Sequence, residues 1–411
     1  MYMKFKKLFK TTVVALSVTA MSLGLVGANA EAANQNFKDV PKTHWAGSAI
    51  YETVSKGMVT GYSDNTFRPS NNVTRAEFAA FLSRAFDGAF ESNSTFSDVP
   101  STHWAYPSVN EAIALGIIDT KDYGKKFEPD KVMTRAEIAK WLSKGLASSN
   151  IEYQNAIDEM ANSDLTIIPI PEFYKGGVNK ADLPYIGVAL GTGLLSGYTD
   201  ETFKPNDKTT RAEVSVILTR FLSNMKKSPK DFNDLNEFRE VALTGTNILT
   251  VTNFKEMAEG QGFKEILGKP YTYSTLGTGA IEHVIFVDTI GLPKGAYSKM
   301  FTANSSKMKN GRYTTFIEYS FTTNQSISYD QWLNSKSTGY FTGLQLMSSA
   351  PTAKYGYRTP LVSKSEVVGK GKFFKIGTKN VFWGYAGAGT AVGERLIGYT
   401  DDGSSYGYII K

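Results

Sequence analysis

Phe67-Arg68-Pro69-Ser70-Asn71-Asn72-Val73-Thr74-Arg75-Ala76-Glu77 decides the architecture, because the chain repeats its frame three times. The second copy runs from Phe127-Glu128-Pro129 to Thr134-Arg135-Ala136-Glu137. The third runs from Phe203-Lys204-Pro205 to Thr210-Arg211-Ala212-Glu213. The Phe lies seven residues before the Thr each time, and the Pro two residues after the Phe. A spacing kept three times marks an internal repeat.

Thr followed three residues later by Glu, ahead of an apolar run, is a capping box. It predicts three helices with Thr at the N-cap and Arg at the first helical position. Their apolar faces read Phe78, Phe81, Leu82; Ile138, Trp141, Leu142; and Val214, Ile217, Leu218, Phe221. A cation at that first position opposes the helix dipole by roughly 0.3–1 kcal/mol, so three such arginines need a reason. Free backbone N–H groups and a guanidinium together make an anion site, and Arg grips a carboxylate with two parallel bonds. One reading is therefore a repeated site for a small acidic group. The other is that each Arg bridges to an acidic residue of a neighbouring repeat, such as Asp39 or Asp98. The tetrapeptide alone leaves both open.

Two repeats share a second signature upstream: Phe37-Lys38-Asp39-Val40-Pro41 with His44-Trp45-Ala46, and Phe96-Ser97-Asp98-Val99-Pro100 with His103-Trp104-Ala105. An amphipathic helix follows each. Repeats one and three also carry Gly61-Tyr62-Ser63-Asp64 and Gly197-Tyr198-Thr199-Asp200, tight Asp-containing turns that present a Tyr. Repeat two has Asp119-Thr120-Lys121-Asp122-Tyr123-Gly124 instead.

Taken together, residues 35–225 resemble the S-layer homology (SLH) domains of Gram-positive surface proteins. The resemblance implies three repeats about a pseudo-threefold axis, with a central three-helix bundle and outer helices and loops. It also implies grooves that bind the secondary cell wall polysaccharide attached to peptidoglycan, in many members through a pyruvylated N-acetylmannosamine. A pyruvate ketal carries a carboxylate. The residues matching the motifs are Arg75, Arg135, Arg211, Asp39, Asp98, Trp45 and Trp104, and Tyr62 and Tyr198 line the sugar on this reading. Asp164 takes the third upstream position, without a His-Trp pair, and an insert around 166–180 follows it. The recurrence of Trp45 and Trp104 at one place predicts that most of each ring is packed in the core, although an aromatic face under a sugar is a common device. His44 and His103 read as loop-fixing hydrogen-bonders, neither catalysts nor metal ligands.

The start of the chain reads as a secretory signal peptide, residues 1–30: four lysines, an apolar run, then Ala28-Asn29-Ala30. Its removal takes away four lysines and no acid, so the formal charge falls from +6 to +2. No basic stripe remains, which argues against nucleic acid. No later stretch is long and apolar enough for a membrane span. With no Cys, disulfides and thiolate metal sites are excluded. No cofactor motif is present. The expected location is secreted, at the cell wall or S-layer, with S-layer lattice proteins as further partners.

The domain reading is repeat one 35–90, repeat two 94–148, repeat three 160–225 with its insertion, a polar linker 226–234, and a C-terminal domain 235–411. The fold class is multidomain: the helical SLH triplet, then an α+β domain of mostly antiparallel sheet. Helices are predicted over Leu235–Leu243 and Phe254–Leu267. Strands are predicted over Ile281–Asp288, Arg312–Thr323, Phe341–Met347, Lys372–Ile376, Val381–Tyr385, Arg395–Tyr399 and Tyr406–Ile410. Tyr399-Thr400-Asp401-Asp402-Gly403 reads as a hairpin turn. No nucleophile elbow, zinc-protease helix or P-loop appears. The expectation is a non-enzymatic anchor and display protein. The alternative is an SLH-anchored wall hydrolase with catalysis in 235–411, through a carboxylate pair drawn from Glu282, Asp288 and Glu318.

Overall fold

The structure, a computed structural model, describes residues 36–86, 92, 96–273, 275–301, 311–328, 331–332, 353–359 and 373–411. The signal segment and the strand expected at Phe341–Met347 lie outside them.

Each repeat supplies an outer helix and a Thr-Arg-Ala-Glu helix. These are α1 (Gly47–Ser55) and α2 (Arg75–Ser83), then α3 (Tyr106–Ala114) and α4 (Arg135–Ser149). After α5 (Ile151–Ala161) and the short α6 (Pro171–Lys175), repeat three gives α7 (Leu183–Gly191) and α8 (Arg211–Asn224). The caps form as the sequence predicts. Thr74, Thr134 and Thr210 each accept a bond from the Glu N–H three residues on, and Glu77 and Glu213 complete the box.

The repeats interlock in cyclic order. The outer helix of each packs on the Thr-Arg-Ala-Glu helix of the preceding one: α3 on α2, α7 on α4, and α1 on α8, which closes the circle. Phe67, Phe127 and Phe203 are fully buried, and rings meet between helices, as in Phe78–Trp141 at 6.0 Å.

The C-terminal part begins with α9 (Asn233–Thr244), ended by Gly245 in the left-handed conformation at φ 69°, and α10 (Ile248–Val251). Strands β1 (Phe254–Glu256), β2 (Tyr271–Thr272) and β3 (Gly277–Asp288) follow, then α11 (Ser298–Phe301). The remaining strands are β4 (Tyr313–Thr323), β5 (Asn380–Ala388), β6 (Arg395–Tyr399) and β7 (Ser405–Ile410). They form two antiparallel sheets, ordered β2-β3-β4-β5 and β1-β7-β6. The β6–β7 hairpin turns where the sequence predicts, with Thr400 N–H donating to Ser404 O at 2.8 Å and Gly403 at φ 84°.

Two expectations fail. The helix predicted over Phe254–Leu267 is strand β1 plus a 3-10 turn at Phe263–Glu265. Phe254–Glu256 pairs with β7, and Gly260 at φ 74° turns the chain away from any helix. The strand predicted at Lys372–Ile376 is a turn over its described residues. Asn380 closes it, taking a bond from Lys375 N–H at 2.9 Å and returning one to Lys375 O at 3.0 Å.

The two parts touch directly. Ser228 Oγ donates to Glu152 at 2.7 Å, and Tyr153 Oη donates to Lys227 O at 3.2 Å. Arg239 grips Glu159 with two bonds of 2.6 and 2.9 Å. The His283 ring stands between Glu318 at 2.6 Å and Leu165 O at 3.0 Å.

Candidate functional site: the seams between repeats

The helix starts are not free. Arg75 and Ala76 N–H donate to Lys131 O and Pro129 O of repeat two. Arg135 and Ala136 donate to Asp207 O and Pro205 O of repeat three. Arg211 and Ala212 donate to Asn71 O and Pro69 O of repeat one. The anion site expected from open N–H groups is thus filled by carbonyls of the next repeat. This also explains the Pro after each Phe: its carbonyl is an acceptor aimed at the neighbouring helix.

The arginine side chains cross the same seams and are buried, at 7%, 6% and 3% exposure. Arg75 donates to Phe127 O (2.7 Å), Glu128 (3.0 Å) and Glu137 (2.7 Å). Arg211 donates to Phe67 O (2.9 Å) and Thr60 O (2.7 Å), with Glu77 at 3.5 Å. Arg135 donates to Phe203 O (2.9 Å) and Ser196 O (2.9 Å). The bridge to a neighbouring repeat therefore exists, but not to Asp39 or Asp98.

The second and third repeats meet differently from the other two pairs. Among the described residues no carboxylate forms an ion pair with Arg135. Glu213, which stands where Glu137 and Glu77 stand, completes its own capping box as Glu77 does, but makes no ion pair with Arg135 among the described residues. Lys204 adds a second cation, 4.2 Å from the Tyr198 ring centre, and the Arg135 guanidinium lies 4.6 Å from the same centre.

Asp39 and Asp98 support these seams from outside. Asp39 accepts from Phe67 N–H (2.8 Å) and Arg68 N–H (2.7 Å). Asp98 accepts from Phe127 N–H (2.9 Å) and Glu128 N–H (2.8 Å). Arg68, Glu128 and Lys204 all have positive φ, at 56°, 55° and 52°, which aims two successive N–H groups at one carboxylate. In repeat three Asp164 does not fill this role; it is exposed and pairs with Lys180 at 2.9 Å. Glu172, on α6 of the insert, accepts from Phe203 (3.0 Å) and Lys204 (2.8 Å) instead. Sequence reading missed it because the acid follows its proline, Pro171-Glu172, where the other repeats place Asp before Val-Pro.

Each seam also holds a Tyr beneath its cation. The Arg211 guanidinium is 5.0 Å from the Tyr62 ring centre, and Arg68 is 3.8 Å from it. In repeat two Tyr123 takes this place, 4.7 Å from Arg75, although its turn lacks the Gly-Tyr motif. Tyr123 Oη receives Trp141 Nε1 and donates to Glu137. Burial and the Glu137 charge push its phenol well above the ordinary value.

Trp45 and Trp104 correct the packing expectation. They are 67% and 60% exposed. Ala46 and Ile50, like Ala105 and Val109, form the buried stripe at helical spacing, so the residue just before points outward. Each indole stacks on the preceding His, 5.9 and 5.8 Å between ring centres. The histidines fix the loop as predicted: Nδ1 accepts from Ala46 or Ala105 N–H at 3.1 Å.

The carboxylates considered for hydrolysis are engaged locally. Glu318 meets His283, Glu282 pairs with Lys379 at 2.6 Å, and Asp288 accepts from Ile290 N–H at 2.8 Å. Among the described residues no cluster of His, Asp or Glu could hold a metal, and no helix is long and apolar enough to cross a membrane.

Residues 36–79, 95–139 and 177–215 match the S-layer homology domain family. The chain is 32% identical over 188 residues to Cell surface glycoprotein 1 of Acetivibrio thermocellus, covering 44% of this chain and 8% of that protein. It is 26% identical over 322 residues to S-layer protein EA1 of Bacillus anthracis, covering 76% of this chain and 33% of that one. A Bacillus sp. endoglucanase is 27% identical over 226 residues, covering 54% of this chain and 23% of the enzyme. The chain thus spans a third or less of these relatives. The chain carries three S-layer homology (SLH) domains and is a secreted, cell-surface protein.

Proposed function

We propose that the triplet anchors the chain non-covalently to secondary cell wall polysaccharide, through a pyruvate-ketal carboxylate received beside Arg135. One observation carries this: among the described residues Arg135 is buried with carbonyls as its hydrogen-bond partners and no carboxylate, while Arg75 and Arg211 have carboxylates of their own. A buried guanidinium without a counter-charge is costly, and a ligand carboxylate relieves that cost. Lys204 reinforces the charge and Tyr198 offers an aromatic surface. The cyclic contacts support a pseudo-threefold unit around a bundle of α2, α4 and α8. On this reading Arg75, Arg211, Asp39 and Asp98 build the ring, and Tyr62, Trp45 and Trp104 give sugars further surfaces. The C-terminal domain is displayed outward, with S-layer proteins as partners.

The test is co-sedimentation of the chain with purified walls before and after chemical removal of the ketal. Loss of binding on removal supports the reading; undiminished binding refutes it. A hydrolase on the same anchor has in its favour relatives named endoglucanase and exoglucanase. A cleared band in zymography of the full chain on cell walls would establish it.

A further inference from the structure

The C-terminal domain reaches over the sugar-facing turn of repeat three, and of no other repeat among the described residues. Tyr355 Oη donates to Glu201 at 3.1 Å, and Lys354 pairs with the same carboxylate at 2.9 Å. In repeat one the residue matching Glu201, Asn65, is exposed. Glu237 holds the opposite wall: its carboxylate accepts from Ala296 N–H at 3.1 Å and fixes the loop leading to α11. Between these walls lies a cavity of about 310 Å³, bounded by Tyr198 and Ser196 on the SLH side and by Phe238, Lys299 and Tyr355 on the other.

Two features identify what fits. The cavity is continuous with the Arg135 seam, because Ser196 O accepts from Arg135 and the Tyr198 ring lies under its guanidinium. Its charges do not favour a second anion: Lys299 is balanced by the nearby Asp234, and Lys354 by its pair with Glu201. Aromatic carbon surface with donors and acceptors at the edge suits an uncharged sugar ring, which has apolar faces and a rim of hydroxyls. The volume lies at the lower end for ligand pockets, roughly 300–1,000 Å³, so it admits sugar rings and no folded partner.

We infer that this cavity is a second sugar subsite, shared by repeat three and the C-terminal domain, which takes the uncharged ring next to the acidic end unit bound at Arg135. The C-terminal domain is then part of the wall receptor as well as its cargo. The inference rests on the wall-binding reading above.

The experiment is calorimetric titration of the full chain with two probes: the pyruvylated monosaccharide, and a wall oligosaccharide carrying the same end unit plus further rings. The unmodified chain binds the longer probe about tenfold more tightly, the equivalent of about one added hydrogen bond to a charged group. Lys299→Ala and Asp234→Asn, both at exposed positions, abolish that ratio and leave the monosaccharide affinity unchanged. Equal affinities for the two probes in the unmodified chain overturn the inference. So does a ratio that survives in both variants. Failure of both probes to bind the unmodified chain overturns the wall reading itself, and this inference with it. Unfolding temperatures of the two variants, expected to match the unmodified chain, separate loss of the subsite from loss of fold.

Discussion

Arg211 Nε of the third repeat donates to the Phe67 carbonyl of the first at 2.9 Å, across 144 positions of sequence. That bond and its two counterparts turn a linear triplet into a closed ring. An arginine placed against its own helix dipole is explained by the neighbour it holds, since the two carbonyls and the carboxylate that Arg211 grips outweigh a dipole effect of roughly 0.3–1 kcal/mol.

Arg211→Ala removes a buried cation from carbonyls and a carboxylate left facing it. The expected loss is about 3–5 kcal/mol. Urea unfolding measures it, and a change below about 0.5 kcal/mol would show that the ring closes without this residue.

Glu172 and Asp164 give a sharp contrast. Glu172→Ala strands two N–H groups beside Lys204, which already sits at positive φ, and should cost about 1–3 kcal/mol. Asp164→Ala, at an exposed pair, should stay within about 0.5 kcal/mol. Equal effects in thermal unfolding would restore Asp164 to the third upstream position.

Trp45→Ala should leave stability within about 0.5 kcal/mol, because the ring is mostly in solvent. Trp141→Ala, 1% exposed between α2 and α4, should cost about 3–5 kcal/mol. The intrinsic fluorescence of Trp45 should be red-shifted and readily quenched by iodide; a protected spectrum contradicts its placement.

Much of this was legible in the residues. Thr-x-x-Glu encodes its own cap, so the three Thr-Arg-Ala-Glu helices could be placed from local chemistry. Alternating Tyr, Phe and Ile between Gly and Asn turns likewise marked β3 to β7. The Trp positions were not legible, because burial depends on the phase of a helix against a neighbour that only the ring supplies. Nor was the state of Arg135: Glu213 caps its helix as Glu77 does but does not also pair with the neighbouring arginine, a difference that the identical tetrapeptides do not show. The Phe254–Leu267 helix failed because pairing with β7, far along the chain, overrides local propensity.

Glu237 should make stability fall as pH rises. Burial among α9 and the Gly295–Ala296 loop lifts its carboxyl from 4.5 to about 7. A raised folded-state value favours the protonated form in the native chain. Its contribution is therefore complete below 4.5 and lost as pH climbs through about 7, by roughly 3 kcal/mol. Glu237→Gln should flatten this part of the profile; an unchanged slope in denaturant unfolding between pH 5 and 8 assigns the effect elsewhere.

The central claim is that one of three matching arginines receives the wall carboxylate. The most direct measurement follows the Nε–Hε resonances of Arg75, Arg135 and Arg211 by NMR, in arginine-labelled protein titrated with the pyruvylated monosaccharide. The Arg135 signal should shift and saturate while those of Arg75 and Arg211 stay in place. Movement of Arg75 or Arg211 with Arg135 unmoved, or no movement of any, would contradict it.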